Sequence, residues 1–200
     1  MIEVDVQDGA TRLMLARPEK ANALTEDMLR DLRDAVRSAT TAVLVLTGQG
    51  QVFSAGADLD AARNGLAISP LWEELSSAIA NYPGLTIAAL NGSVAGGAMG
   101  MVLACDLRVA VPMAKFFYPV MELGFLPQPS DPGRMAALTS PAKAKRLFMT
   151  GEKIDGHTAL EWGLLDELSE PADLMSLAMA WADKPKKAKT GHAAAIKALF

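Results

Sequence analysis

The stretch Asn91–Gly100 reads Asn-Gly-Ser-Val-Ala-Gly-Gly-Ala-Met-Gly and decides the fold. An apolar, strand-like run precedes it, and a helix-like pattern of small apolar residues follows it. An earlier stretch of the same character, Phe53–Leu59, reads Phe-Ser-Ala-Gly-Ala-Asp-Leu. Both stretches predict a turn from a strand into a helix, where backbone N–H groups are free of bulky side chains.

Two such turns placed side by side can hold one negatively charged oxygen between two backbone amides. This arrangement indicates an enzyme that stabilises an oxyanion. The alternative is that the glycines serve only tight turns and close helix packing.

The continuous apolar run Ala42–Leu46 is typical of a strand buried on both faces, and Thr86–Leu90 and Leu107–Val111 predict a second and a third buried strand. Helical patterns lie between and after them, and this alternation predicts an α/β fold with a parallel sheet. The proline-rich segment from Pro112 to Pro132 is predicted to be irregular.

Composition restricts the class of protein. A chain of 200 residues, half of them hydrophobic, predicts one domain with a substantial core. The net charge of −4 argues against a nucleic-acid surface. The longest apolar run, Ala95–Cys105, is too short and glycine-rich to cross a bilayer, and the N-terminus lacks a signal-peptide pattern, so we expect a cytoplasmic protein without membrane partners. The single cysteine excludes an internal disulfide and a cysteine zinc cluster, and no metal site is expected. The lysines from Lys184 to Lys189 predict a solvated linker, or alternatively a patch for a phosphate-bearing ligand.

Four elements of the sequence resemble the crotonase, or enoyl-CoA hydratase/isomerase, superfamily. They are, in chain order, Arg17–Leu24 (Arg-Pro-Glu-Lys-Ala-Asn-Ala-Leu), Phe53–Leu59, Asn91–Asp106 and Thr150–Leu165. Their order and spacing agree with the family over roughly residues 2–170. The resemblance implies a spiral ββα fold, with a core domain at 1–170 and a C-terminal helical segment at 171–200 that is shorter than usual for the family.

The resemblance also implies a function. It implies an acyl-CoA, or acyl-carrier, thioester as substrate, in fatty acid metabolism, with the N–H groups of Ala57 and Gly97 holding the thioester oxygen. No cofactor is implied, since coenzyme A is part of the substrate. A homotrimer or a dimer of trimers is the assembly it implies. The residues that it assigns to coenzyme A are Lys20, Ala21, Ala55, Gly56, Asp58 and Leu59. Lys20 would reach a phosphate as a point charge, or would simply be a solvated lysine.

The sequence departs from the family at the two glutamates that its hydratases use for proton transfer. The first position, three residues beyond the oxyanion glycine, is Gly100, and the second, after Pro119, is Val120. Because hydration needs both an acid and a base, we expect isomerisation, decarboxylation or a related enolate reaction in place of ordinary hydration. The alternatives are a non-catalytic acyl-CoA-binding homologue or partner subunit, and an interaction module with no thioester site.

Two carboxylates are candidates for the missing acid or base. Glu122 lies two residues beyond the second position and, on an extended segment, would keep its face; alternatively it is a surface residue. Asp131 precedes a predicted helix near Gly133, where it would otherwise be an N-cap. Tyr118, in the same region, could donate a hydrogen bond in the pocket or be an ordinary buried aromatic residue.

Overall fold

The computed structural model describes residues 1–200, which form ten strands and ten α-helices. The strands are β1 Ile2–Gln7, β2 Ala10–Leu15, β3 Val43–Gly48, β4 Val52–Ser54, β5 Leu85–Leu90, β6 Ser93–Ala95, β7 Leu107–Ala110, β8 Lys115–Phe117, β9 Ile154–Asp155 and β10 Glu167–Leu168. The helices are α1 Glu26–Ser38, α2 Leu59–Arg63, α3 Leu71–Ala80, α4 Ala98–Ala104, α5 Val120–Leu123, α6 Asp131–Leu138, α7 Pro141–Thr150, α8 Gly156–Trp162, α9 Leu174–Lys187 and α10 His192–Lys197.

The larger sheet has six strands in the order β1-β2-β3-β5-β7-β10. Only β1 is antiparallel to its neighbour, and every other pair is parallel. All six residues of β3 are buried, as the continuous apolar run Ala42–Leu46 predicts. The predicted α/β class with a mostly parallel sheet is confirmed.

The smaller sheet has four strands in the order β4-β6-β8-β9, and its first three strands are mutually parallel. Three times the chain leaves the larger sheet, adds one short strand to the smaller sheet and enters a helix: β3-β4-α2, β5-β6-α4 and β7-β8-α5. Since parallel strands share their direction, β4, β6 and β8 all end at one edge of the smaller sheet. That edge positions the site described below.

Two details of the predicted elements are wrong. The segment from Pro112 to Pro132 is not irregular throughout, because it contains β8, α5 and the start of α6. The lysines from Lys184 to Lys187 belong to the last turn of α9, so only Lys189 lies beyond that helix. Basic side chains at a helix C-terminus interact favourably with the negative end of the helix dipole, which favours lysines in this last turn.

A single apolar cluster forms the core, built from both sheets and the helices packed on them. Helix α9 contributes Leu174, Ala178 and Ala182, all buried, and packs on β3, β5 and β7. No helix combines the length and the hydropathy needed to cross a membrane.

Candidate active site

A cavity of about 470 Å³ opens at the edge where β4, β6 and β8 end. Its wall is mostly apolar, and the residues that follow each of the three strands line it: Ala55 and Ala57, Gly96 and Gly97, Tyr118 and Pro119. The remaining wall comes mainly from helices and loops packed above the edge, including Trp72, Leu123, Phe125 and Leu126. A cavity of this size and polarity suits an apolar group with a few polar contacts.

Ala57 and Gly97 both line this cavity, and neither backbone N–H has an acceptor in the protein. Their neighbours in the chain are bonded: Asp58 N donates to Leu24 O, and Gly96 N donates to Phe117 O. We call Ala57 and Gly97 the amide pair. Because backbone N–H groups inside proteins almost always have partners, two free donors on one cavity wall indicate a site for a ligand acceptor.

Close backbone contact holds the two loops of the amide pair together. Gly56 has a φ of +88°, and a Cβ atom there would lie 2.7 Å from Ala95 O. A Cβ atom on Gly97 would lie 3.0 Å from the Trp72 ring, which is itself fixed by a 2.7 Å bond from its Nε1 to Leu66 O. Glycine is thus required at position 56 by both conformation and space, and position 97 has little room for a side chain.

A network of polar contacts holds the 55–59 loop, which contains Ala57. The Arg17 guanidinium donates to Asp58 Oδ2 at 2.8 Å and to Ala23 O at 2.9 Å. The buried Asn22 side chain donates to Gln49 O and Val52 O. Asp58 also caps α2 by accepting from Asp60 N and Ala61 N. The hydrogen bond from Arg17, followed by the cap bonds, holds the pKa of the Asp58 carboxyl below its usual value.

The six residues predicted to meet coenzyme A lie in two loops that touch each other. Ala55 N donates to Ala21 O, which joins the 20–22 turn to the start of the 55–59 loop. Lys20 and Ala55 are exposed, and Leu59 stands at the cavity wall with three quarters of its surface exposed. Gly56 is buried, and the Asp58 side chain is already engaged by Arg17 and the helix cap. The contribution of these residues to nucleotide binding stays a prediction.

Asp131 is fully buried, although α6 begins at this residue. Its Oδ2 accepts a 2.9 Å hydrogen bond from the Tyr118 hydroxyl, and its Oδ1 has no partner. The interpretation of Asp131 as an N-cap is wrong, since its side chain makes no cap bond and Ser130 holds that position. We call Tyr118 and Asp131 the phenol–carboxyl pair.

Burial sets the protonation of the phenol–carboxyl pair. Desolvation raises the pKa of the Asp131 carboxyl to about 7, although the hydrogen bond from Tyr118 and the charge of Arg134 oppose the rise. Burial, and then the negative charge of Asp131, raise the pKa of the Tyr118 hydroxyl far above its ordinary value. A carboxyl that exchanges its proton near neutral pH, bonded to a phenol on the cavity wall, is suited to acid–base chemistry.

The enoyl-CoA hydratase/isomerase family model matches residues 5–200. The chain belongs to this family, the crotonase superfamily.

Known proteins of this family are similar in sequence and structure. A probable enoyl-CoA hydratase, echA6 of Mycobacterium leprae, is 33% identical over 189 residues, which cover 91% of this chain and 75% of that protein. YngF of Bacillus subtilis, a putative enoyl-CoA hydratase/isomerase, is 35% identical over 174 residues, covering 82% and 66%. The solved structure of a putative enoyl-CoA hydratase/carnithine racemase from Magnetospirillum magneticum superposes with a TM-score of 0.92 at 29% identity, covering 99% of this chain and 81% of that one.

This crotonase chain carries no carboxylate at the two expected positions. Gly100 is buried inside α4, and Val120 is buried at the start of α5 and lines the cavity. Glu122 lies on α5 and not on an extended segment, as its interpretation required, and it is exposed and absent from the cavity wall. On a helix, a two-residue offset turns a side chain to the opposite side, so Glu122 does not share the face of Val120.

Several cavity residues were not identified from the sequence. The sequence patterns did not mark Trp72, Phe125, Leu126 or Gln128 as site residues. No local signal marks them, because they reach the cavity only when α3 and the 124–130 loop pack over the ends of β6 and β8.

Proposed function

We propose that this crotonase-family chain binds acyl-CoA thioesters and stabilises a thioester enolate between the N–H groups of Ala57 and Gly97. The observation that carries the proposal is the amide pair: two partnerless backbone donors on one wall of an apolar cavity. A thioester carbonyl oxygen is a single acceptor with two lone pairs, and it gains negative charge when a proton leaves the neighbouring carbon. Donors fixed in advance at that oxygen contribute about 3–4 kcal/mol each to a reaction of this kind.

The rest of the cavity supports an acyl group as the remainder of the ligand. Trp72, Phe125 and Leu126 supply apolar wall, and the lining residues that carry polar side chains are few. The touching loops at 20–22 and 55–59 lie beside the amide pair, where the nucleotide portion of the thioester would extend. Exposed apolar residues around the mouth, such as Leu123 and Leu126, support the family's trimeric assembly as part of the proposal.

A second candidate function is acyl-CoA binding without catalysis. The observation that favours it is the absence of any carboxylate at Gly100 and Val120, the two positions that the family's hydratases use. The two candidates share the amide pair and differ only in proton transfer.

Titration calorimetry with a saturated acyl-CoA and proton exchange of the same ligand in heavy water separate the candidates. Binding together with exchange of the α-protons, followed by NMR, supports enolate formation. Binding without exchange supports the second candidate, and the absence of binding contradicts both.

Two substitutions at one position test the amide pair itself. Gly97→Pro removes the N–H while the native φ of −58° remains accessible to proline. Gly97→Ala keeps the N–H and adds a comparable Cβ atom against Trp72, so it is the matched control. We expect exchange by Gly97→Pro to be about 100- to 1000-fold slower than exchange by Gly97→Ala. Equal rates in the two variants would show that the Gly97 amide takes no part.

A further inference from the structure

Asp131 carries the only buried side-chain oxygen in the protein without a hydrogen-bond partner. A buried acceptor left unpaired destabilises a protein, and a charged group does so more strongly. Asn in its place would keep the bond from Tyr118 and avoid the buried charge. A carboxyl retained under these conditions points to a use for its proton.

The carboxyl of Asp131 lies directly against Gly100. A Cβ atom at position 100 would come within 3.0 Å of Asp131 Oδ1 and 3.2 Å of Oδ2. Gly97 and Gly100 are three residues apart at the start of α4, so they share a face of that helix. The missing side chain at position 100 thus leaves room for a carboxyl delivered by α6, one helical turn from the Gly97 amide.

Tyr118 connects that carboxyl to the cavity. Its ring lines the wall together with Ala57 and Gly97, and its hydroxyl donates to Asp131 Oδ2. The ring is fixed by a tilted contact with Phe148 at 5.0 Å between centroids. Among the polar side chains on the wall, Arg63 stays charged and Gln128 does not titrate, so Tyr118 alone can pass a proton in both directions.

We propose that Tyr118 and Asp131 form a proton relay that isomerises unsaturated acyl thioesters bound at the amide pair. The proposal rests on the function proposed above. In the first step the α-carbon–hydrogen bond of the substrate breaks, its proton moves to Tyr118 Oη, and the phenolic proton moves to Asp131 Oδ2. The electron pair of the broken bond passes to the thioester oxygen between the two amides. In the second step the protons return along the same path and the phenol protonates the γ-carbon, so the double bond shifts.

The relay is balanced without water or any co-reactant. The proton count is the same before and after, and Asp131 ends as the carboxylate with which it began. Tyr118, which lines the cavity, is the catalytic residue of the relay, and Asp131 acts through it. Burial raises the pKa of the Tyr118 hydroxyl and so disfavours a free phenolate, which is why the relay moves both protons together.

The charges around Asp131 are few. Glu73 on α3 raises the pKa of the carboxyl, whereas Arg134 on α6 and the hydrogen bond from Tyr118 lower it. Helix α4 presents only apolar residues and glycines. Base action requires the carboxylate, so the exchange rate should rise with pH and level off above about pH 7.

The test compares Tyr118→Phe and Asp131→Asn with wild type, using a saturated acyl-CoA for binding and α-proton exchange and a β,γ-unsaturated acyl-CoA for isomerisation. We expect both variants to bind within about threefold of wild type and to lose about 100- to 10,000-fold in exchange and isomerisation. Asp155→Asn, at the helix-capping aspartate of α8, is the matched control and should keep the wild-type rates. The pH dependence near pH 7 should vanish in Asp131→Asn.

The outcomes test the relay separately from acyl-CoA binding and enolate stabilisation at the amide pair. Full exchange in both variants overturns the relay and leaves the amide pair in place. Binding by wild type without any exchange overturns the relay and favours the non-catalytic candidate. Absence of binding by wild type overturns the proposed function and the relay with it. If Asp131→Asn fails to fold, Tyr118→Phe still tests the relay. Circular dichroism shows whether each variant is folded.

Discussion

The amide pair and Tyr118 of the phenol–carboxyl pair line the same cavity, but the two pairs are built in different ways. Ala57 and Gly97 are placed by backbone: short strands end beside each other, and Gly56 lets the loops touch. Tyr118 and Asp131 are placed by side chains from separate elements, with a charge buried where Gly100 leaves space. The amide pair therefore depends on the path of the backbone, whereas the phenol–carboxyl pair depends on which side chain fills the space beside Gly100. Substitutions should therefore affect the two halves separately.

The largest effect is expected at Gly56. Gly56→Ala places a Cβ atom 2.7 Å from Ala95 O at a φ of +88°, which should destabilise the fold by roughly 2–6 kcal/mol and abolish acyl-CoA binding. Chemical denaturation and calorimetry measure the two effects. Gly65→Ala has a φ of +100° with no atom within 4 Å, so it reproduces the strain without the crowding. Equal losses in the two variants would show that strain alone matters at Gly56.

The next effect concerns the pH dependence of stability. The pKa of Asp131 is raised from 3.8 to about 7 in the folded protein, so its stabilising contribution is fully present below about pH 3.8 and is lost as the pH rises to about 7. Asp131→Asn has no such titration. The free energy of unfolding of Asp131→Asn, relative to that of wild type, should therefore increase by up to about 4 kcal/mol between acid pH and pH 8. A difference between the two proteins that stays constant with pH would contradict a buried carboxylate at position 131.

A smaller effect is expected at Gly100. Gly100→Ala forces its Cβ atom against Asp131 Oδ1, and the overpacking should destabilise the protein by about 1–3 kcal/mol. Proton exchange should slow while acyl-CoA binding by the amide pair is kept. Gly133→Ala, on α6 with no atom within 4 Å of the new Cβ, is the control and should leave exchange unchanged. Loss of binding in Gly100→Ala would show that the two halves of the site are not separable.

The smallest effect is expected at the network behind the first loop. Arg17→Gln removes the ion pair with Asp58 but leaves the Asn22 bonds that hold the same loop. We expect acyl-CoA binding to weaken by about fivefold or less, as for a partly exposed pair. Arg12→Gln, which breaks the exposed pair with Asp5 on the β1–β2 hairpin, is the matched control for calorimetry. A much larger loss in Arg17→Gln would mean that Arg17 contacts the ligand itself.

The sequence predicted the parts of this molecule that are encoded locally. Strands β3, β5 and β7 are buried along almost their whole length, so apolar residues dominate each of them and mark them in the sequence. By contrast β4, β6 and β8 have three residues each, too few to show an alternating pattern, and they were not identified as strands. Ala57 and Gly97 were predicted from the resemblance of the motifs that contain them to the family, and both line the cavity.

The surroundings of Asp131 could not be predicted in the same way. Its partner Tyr118 is 13 residues away, and Gly100 belongs to another helix. The local sequence predicted that Asp131 is an N-cap, because an aspartate just before a helix often caps it. Only the packing of α6 against α4 shows that the carboxyl turns inward, and the absence of a side chain at Gly100 acquires its meaning from that packing.

The three short parallel strands β4, β6 and β8 also have a consequence for how such a site evolves. Each delivers its own contribution to a common rim: one amide after β4, a second after β6 and a phenol after β8. The contributions come from successive segments of the chain, and each short strand follows a strand of the larger sheet. A substitution after β8 can accordingly change the side chain offered to a ligand without altering the two amides, so that proteins of one ancestry can differ in reaction while they share these two donors.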